Sequence, residues 1–180
     1  MKKMVITFIM VLFLTGCGND LMNTPTKRVE TMLNNYVTLD EKVLNDLEDI
    51  MKEETVMTQD QKGRYKDVLK HQYKNLAYKI KDETIDCDIA TVEVELEVYD
   101  YRKIIDEAEE YLNNNQQEFL GSDNNVDVSK FNDYKLDKLK NAKDKVTYTL
   151  DLTLKKVDDK WVLDDLTDTE ISKIHGLYAY

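Results

Sequence analysis

The chain of 180 residues carries 36 acidic and 25 basic side chains, a formal net charge of −11, and its one proline and five glycines exclude collagen-like and Pro/Gly-rich disordered proteins. Two cysteines exclude a miniprotein held together by several disulfides. A pI of about 4.7 without a basic cluster argues against nucleic-acid binding, because phosphate contacts need lysine or arginine on one face. These values leave one acidic globular domain, long enough to bury its own core.

The first predicted element is a short apolar run, residues 4–14, which follows the basic pair Lys2 and Lys3. As a helix this run spans about 16 Å, roughly half of a bilayer's hydrocarbon core, which is typical of a signal peptide rather than a membrane span. It ends in Leu14-Thr15-Gly16-Cys17, which resembles the lipobox of bacterial lipoproteins. In that family the cysteine thiol receives a diacylglyceryl group, and the chain is then cut just before the cysteine.

The lipobox resemblance divides the chain into a signal peptide (1–16), a lipidated tether (17–24) and a single domain (25–180). The implied partner is a membrane, bound through two acyl chains on Cys17 that anchor a protein stably without a spanning helix. The implied location is the outer face of a bacterial cytoplasmic membrane. A lipidated Cys17 leaves Cys87 without a disulfide partner, and the neighbouring carboxylates of Asp86 and Asp88 make the Cys87 thiol a poor nucleophile.

Three helices are predicted between residue 24 and about residue 76. Thr24 and Pro25 are typical of an N-cap and a first helical position, and apolar residues recur at helical spacing as far as Tyr36. A second helix is predicted over about 40–53. Thr58 and Gln61 fit a capping box, which predicts that a third helix begins there.

The apolar period changes from helical spacing to alternation at Ala77. From residue 92 to residue 98, apolar residues alternate with glutamates, which predicts a strand with one dry and one wet face in an antiparallel sheet. The segment 86–88 is the predicted turn between this strand and the one before it. Outward lysines of the first strand are expected to face outward glutamates of the second.

Two helices and a second hairpin complete the predicted domain. A helix from Tyr101 carries an apolar stripe that extends to Phe119, but the helix is expected to decay in the polar run 113–117. A weaker helix over about 128–142 follows the polar loop 121–127, with Asp127 as its cap. A strand over 145–157 and a returning strand over 161–164 form the hairpin, and a last helix, capped near Asp168, ends around Gly176. Helices and antiparallel hairpins without β-α-β alternation predict an α+β fold.

The order of these elements is similar to that of small lipoproteins of Gram-positive bacteria with a nuclear transport factor 2-like, or ketosteroid-isomerase-like, domain. The residues that carry this resemblance are the lipobox, the helix from Pro25 to Tyr36 and the late turn and strand Asp159-Lys160-Trp161. The resemblance implies a curved antiparallel sheet of two hairpins, packed on several helices as a cone with a pocket at its open end. Because enzymes, binding proteins and structural domains share that fold, it does not define a function.

Tyrosines are well suited to line such a pocket, since each offers a stacking surface and one hydrogen bond. We select Tyr111, Tyr148 and the inward-facing Asn115 as ligand-binding candidates; the alternative is that such tyrosines belong to the core. The two histidines have no zinc-ligand spacing: His71 is expected on the surface, and His175 at a helix C-terminus, where a positive charge is favoured. No catalytic residue, metal site or cofactor is therefore predicted.

The leading functional hypothesis is a lipid-anchored, non-catalytic domain that binds a protein or a cell-wall partner. The alternative is a small-ligand-binding or weakly catalytic pocket lined by tyrosines. A sheet whose dry face is filled by side chains favours the first hypothesis, whereas an open cavity with convergent polar groups favours the second.

Overall fold

This computed structural model describes residues 23–179, which contain six α-helices and four strands. The predicted signal peptide, Cys17 and most of the predicted tether lie outside these residues. The helices are α1 (Pro25–Thr38), α2 (Glu41–Glu53), α3 (Gln59–Lys74), α4 (Tyr101–Asn114), α5 (Val128–Lys140) and α6 (Asp168–His175), with a 3₁₀ helix at Gln116–Phe119. The strands are β1 (Ala77–Asp86), β2 (Ile89–Tyr99), β3 (Lys145–Val157) and β4 (Lys160–Leu163).

Capping boxes open two of the helices. The Thr58 hydroxyl accepts a hydrogen bond from the Gln61 N–H at 3.3 Å, and the Gln61 carboxamide accepts one from the Thr58 N–H at 3.1 Å, which confirms the capping box of α3. A second capping box, formed by Thr167 and Glu170, opens α6. The helix therefore begins at Asp168 with Thr167 as its N-cap, which confirms the prediction of a cap near Asp168.

All four strands form one antiparallel sheet in the order β1-β2-β3-β4, which confirms the two predicted hairpins and the α+β class. In its centre, Val94 of β2 lies opposite Ile80 of β1 and Leu150 of β3. On the wet face, the Lys81 ammonium lies 3.1 Å from the Glu95 carboxylate, as the alternating charges predict. The dry face of β2 is fully buried at Val92, Val94, Leu96 and Val98.

Helices α1, α3 and α6 pack on the dry face of the sheet, and α2 packs against α1 and α3. Each supplies a fully buried aliphatic side chain to one continuous core: Leu33, Leu47, Leu69 and Ile174, all 0% exposed. Removing one such side chain from a packed core costs about 2–5 kcal/mol, so these contacts dominate the stability of the domain. No helix within residues 23–179 is long and apolar enough to span a membrane.

The two ends of the sheet carry different parts of the chain. Both hairpin turns lie at one end, because Ile89 at the start of β2 pairs with Lys155 near the end of β3. Asn23 lies at this end as well. Its side-chain N–H donates to the Asp159 carbonyl at 2.8 Å, and its side-chain oxygen accepts from the Trp161 N–H at 3.1 Å. Helices α4 and α5 connect β2 to β3 at the opposite end, and the eleven residues of β2 place the two ends about 33 Å apart.

The helix that begins at Tyr101 ends within the polar run 113–117, as predicted, although its apolar stripe continues to Phe119. It ends at Asn114, and Asn115 adopts a non-helical conformation while its side-chain amide donates to the Tyr111 carbonyl at 2.9 Å. Phe119 therefore lies on the separate 3₁₀ helix, which corrects its predicted place on α4. The physical reason is that asparagine side chains compete for backbone hydrogen bonds and so favour helix ends.

Candidate functional site

The three predicted ligand-binding residues occupy two separate places. Tyr148 is 7% exposed in the core of the sheet, where its ring packs edge-on against Tyr178 and its hydroxyl donates to the Tyr178 carbonyl at 3.2 Å. Tyr111 packs in a different cluster, between α4, the 3₁₀ helix and α5. Asn115 lies beside Tyr111 and caps α4. The structure thus brings Tyr111 and Asn115 together but places Tyr148 among other neighbours.

A cleft of about 430 Å³ opens between α4 and α5. Tyr111 and Tyr134 line it with stacked rings, 5.1 Å apart and inclined by 16°. The Tyr111 hydroxyl donates to the Glu118 carboxylate at 3.0 Å, and this hydrogen bond raises the pKa of Tyr111 because the phenol proton is held by a negative charge. The cleft therefore offers an aromatic wall with fixed orientation.

A strip of lysines, missed in the sequence analysis, borders this cleft. Residues 128–145 contain six lysines and three aspartates, a local charge of +3 in a chain of net charge −11. Within residues 23–179, Lys145 is the only one of these six lysines that makes an ion pair, and the other five make none: Lys130, Lys135, Lys138, Lys140 and Lys143. The signal that could have revealed the strip is the reversal of local charge along one predicted helix.

Contacts between α3 and α5 explain why the lysines lack acidic partners. Arg64 of α3 binds both aspartates of α5, with its guanidinium 2.6 Å from Asp133 and 2.8 Å from Asp137. Gln61, which is 2% exposed, donates to the Ser129 carbonyl at 2.9 Å and also fixes α5 to α3. Because an arginine of another helix takes these carboxylates, the lysines of α5 form no ion pair with them.

His175 lies in a polar cluster beneath α6. It is 9% exposed, and its Nε2 lies 2.7 Å from the Tyr73 hydroxyl. Burial lowers the pKa of His175 to about 4, so the imidazole is neutral at pH 7. The prediction of a positive charge at this helix end is therefore wrong, because the last turn of α6 packs against α3 instead of facing water. The buried Gln72 amide donates to the His175 and Tyr99 carbonyls at 3.0 and 2.9 Å.

The remaining candidates are surface features. His71 is exposed, as predicted, and stacks on the Tyr99 ring with the ring centres 5.0 Å apart. Cys87 is exposed in the turn between β1 and β2, with a positive φ of 55°. Asp127 caps α5, accepting from the Ser129 N–H at 2.9 Å. In the described part of the chain, no group of three or more histidine, cysteine or acidic side chains is arranged to hold a metal ion.

A second open recess lies between α1, α2 and β4, with a volume of about 670 Å³. Trp161 lines it and is only 8% exposed, since most of the indole packs into the core. The recess is close to Asn23, whereas the cleft between α4 and α5 lies at the other end of the sheet. The two recesses are thus separate sites.

Comparisons with known proteins find no matching family model, no matching curated protein and no matching solved structure. The two recesses, the placement of charge and the position of Asn23 are the features of the domain that bear on function.

Proposed function

We propose that this protein is a lipoprotein anchored through Cys17 to the outer face of a bacterial cytoplasmic membrane, and that its domain is a non-catalytic interaction module. The interaction surface in this proposal is the head, which we define as α4, the 3₁₀ helix and α5. The expected partner presents a negatively charged segment to the cleft between α4 and α5. A protein or a cell-wall polymer fits this description.

The observation that carries the proposal is the position of Asn23 relative to the head. Asn23 is held at the end of the sheet that bears both hairpin turns, and the head is at the opposite end. Five residues separate Cys17 from Asn23, so a lipid on Cys17 would lie within about 20 Å of Asn23. The sheet would then project the head about 33 Å away from the tethered end, where a partner can approach it.

The packing on the dry face of the sheet favours an interaction module and not a domain that holds a ligand in an internal pocket. Helical side chains fill the face of β2 and β3 where a cone-shaped fold would hold its ligand. The four-stranded antiparallel sheet, the helices on one of its faces and Trp161 on the last strand are consistent with a nuclear transport factor 2-like domain. We retain that relationship, with the curved, cone-like sheet that it implies, as part of the proposal.

The charge of the head supports an acidic partner. Lys138 and Lys143 line the cleft without carboxylate partners among residues 23–179, and the Lys138 ammonium lies 5.0 Å above the Tyr134 ring. Lys103 on the facing helix is already paired with Asp144 at 2.6 Å. A negatively charged partner would therefore gain two unpaired ammonium groups beside a stacked aromatic pair.

The anchor is tested by replacing Cys17 with serine. This variant is expected to leave the membrane fraction for the medium or to accumulate as an uncleaved precursor, and to lose incorporation of labelled palmitate. Cys87→Ser is the matched control and is expected to behave like the wild type, because Cys87 lies in an exposed turn of the domain. Processed, membrane-bound Cys17→Ser protein would contradict the lipid anchor.

The interaction surface is tested by photo-crosslinking in intact cells. A photoreactive residue at position 138 is expected to give a discrete adduct that is lost when Lys143 is replaced by glutamate. The same residue at position 79, which is exposed on the wet face of the sheet, is expected to give none. Equal adducts from both positions, or an adduct from position 138 that is insensitive to Lys143→Glu, would exclude the head as the binding surface.

A further inference from the structure

The recess between α1, α2 and β4, which we call the β4 groove, combines an apolar floor with a balanced polar rim. Its floor includes Met32, Tyr36, Val43, Trp161 and Leu163. Three basic side chains (Arg28, Lys42 and Lys160) and three acidic ones (Asp46, Asp164 and Asp165) form the rim. Because the opposing charges are equal in number, the groove as a whole favours neither an anion nor a cation.

Strand β4 is an edge of the sheet, and its outer edge borders the groove. The Trp161 N–H points away from β3, since it donates to Asn23 Oδ1, and the Asn23 amide also donates to the Asp159 carbonyl. The Asn23 side chain thus makes the two hydrogen bonds that a residue of a neighbouring strand would make. In a strand, the N–H and C=O groups of every second residue point to the same edge. The Leu163 N–H and the Trp161 carbonyl therefore point to the outer edge of β4, like the Trp161 N–H.

Arg28 adds an unsatisfied donor at the same place. One of its terminal nitrogens donates to Asn23 Oδ1 at 3.3 Å, but its Nε is buried without a hydrogen-bond partner. A buried donor without an acceptor is destabilising, by about 1–3 kcal/mol for a neutral group and more for a charged one. The Arg28 guanidinium also lines the groove, so a ligand carboxylate would form a charge-assisted bond with it.

We propose that the β4 groove binds an extended peptide segment of another protein, which adds a short strand to the outer edge of β4. In this arrangement the peptide backbone bonds the Leu163 N–H and the Trp161 carbonyl, and an apolar side chain occupies the floor. A peptide carboxylate binds Arg28. Backbone pairing at a sheet edge supplies affinity, and the groove selects the side chains on one face of the peptide. Binding at this site requires neither the head nor a lipid on Cys17.

Trp161 reports on this site directly, because it lines the groove and is the only tryptophan in the chain. The full chain, reconstituted in phosphatidylcholine vesicles, is titrated with a hexapeptide of alternating threonine and valine that carries one central aspartate. A saturable change in Trp161 emission is expected. A peptide with lysine in place of the aspartate, or an Arg28→Gln variant that retains the wild-type circular dichroism spectrum, is expected to reduce the affinity at least tenfold.

Backbone methylation distinguishes strand addition from simple apolar binding. N-methylation of the peptide on the edge that faces β4 is expected to weaken binding at least tenfold, and N-methylation on the opposite edge is expected to leave it unchanged. No saturable response at millimolar peptide, or equal binding of both methylated peptides, would overturn the proposal. Lys79→Gln, far from the groove on the wet face, is the control variant and is expected to bind like the wild type.

Trp161 emission also distinguishes two other occupants of the groove from a peptide of another protein. A Leu21→Ser, Met22→Ser variant that changes Trp161 emission without peptide and then binds the peptide at least tenfold more tightly would assign the groove to the chain's own N-terminal segment. Emission that depends on protein concentration without peptide would assign it to a second copy of the chain. Either result would overturn the proposal of a peptide partner.

Discussion

Mild acid is expected to weaken the fold through His175. The pKa of this buried imidazole is lowered from 6.5 to about 4, whereas in the unfolded chain it keeps its ordinary value. Between these two values the unfolded chain binds a proton that the folded chain does not. The contribution of His175 to stability is therefore complete above about pH 6.5 and is lost as the pH falls toward 4.

The expected size of this effect follows from the shift in pKa. A pKa lowered from 6.5 to about 4 corresponds to about 3 kcal/mol, of which about 2 kcal/mol is lost between pH 7 and pH 5. Protonation at Nε2 would also remove the acceptor that the Tyr73 hydroxyl meets at 2.7 Å, if the tyrosine is the donor of that bond. The loss is large for a domain of this size, since net stabilities lie at about 5–15 kcal/mol.

Urea unfolding at pH 7, 6 and 5, followed by Trp161 fluorescence, measures this loss. His175→Gln keeps a polar group near Tyr73 but cannot titrate, so its free energy of unfolding is expected to change about 2 kcal/mol less than that of the wild type over this range. His71→Gln is the matched control, because His71 is exposed, and it is expected to follow the wild type. Equal losses for the wild type and His175→Gln would refute this reasoning.

Three further predictions concern stability. Trp161→Ala is expected to cost about 3–5 kcal/mol, measured by circular dichroism because the variant lacks the only tryptophan. Gly176→Ala is expected to cost about 3 kcal/mol, since φ is +71° and an added Cβ would lie 2.1 Å from the Tyr99 carbonyl oxygen. Gly63→Ala is its control: Gly63 has open space around it, so this variant is expected to raise the thermal midpoint slightly. Gln72→Leu is expected to cost about 3 kcal/mol by leaving the Tyr99 N–H and two carbonyls unpaired, and a stability within 0.5 kcal/mol of the wild type would contradict this.

Most of the fold could be predicted because its signals are local. The alternation from Val92 to Val98 and the capping box at Thr58 each lie within a few residues of sequence, and each is present in the structure. The end of α4 lies in the polar run 113–117 where it was predicted, but Phe119 was wrongly placed on this helix. Its apolar stripe continues to Phe119, and only competition between asparagine side chains and the helix backbone decides where the helix ends.

The candidate sites were harder to predict, because they depend on residues far apart in the chain. The two aspartates of α5 pair not with its lysines but with Arg64, about seventy residues earlier in the chain. The neutral state of His175 likewise depends on Tyr73, 102 residues away, which helps to bury it. Residue type and spacing alone contain neither relationship.

The sequence by itself determined the class of the fold, the order of its helices and hairpins, and the face of each strand that is dry, because side-chain periodicity and capping act over a few residues. Tertiary structure alone decided that Tyr148 lies apart from Tyr111, that His175 is buried, and that Asn23 and the head lie at opposite ends of the sheet. Those relationships arise from strand register and helix packing, which join residues that are distant in sequence.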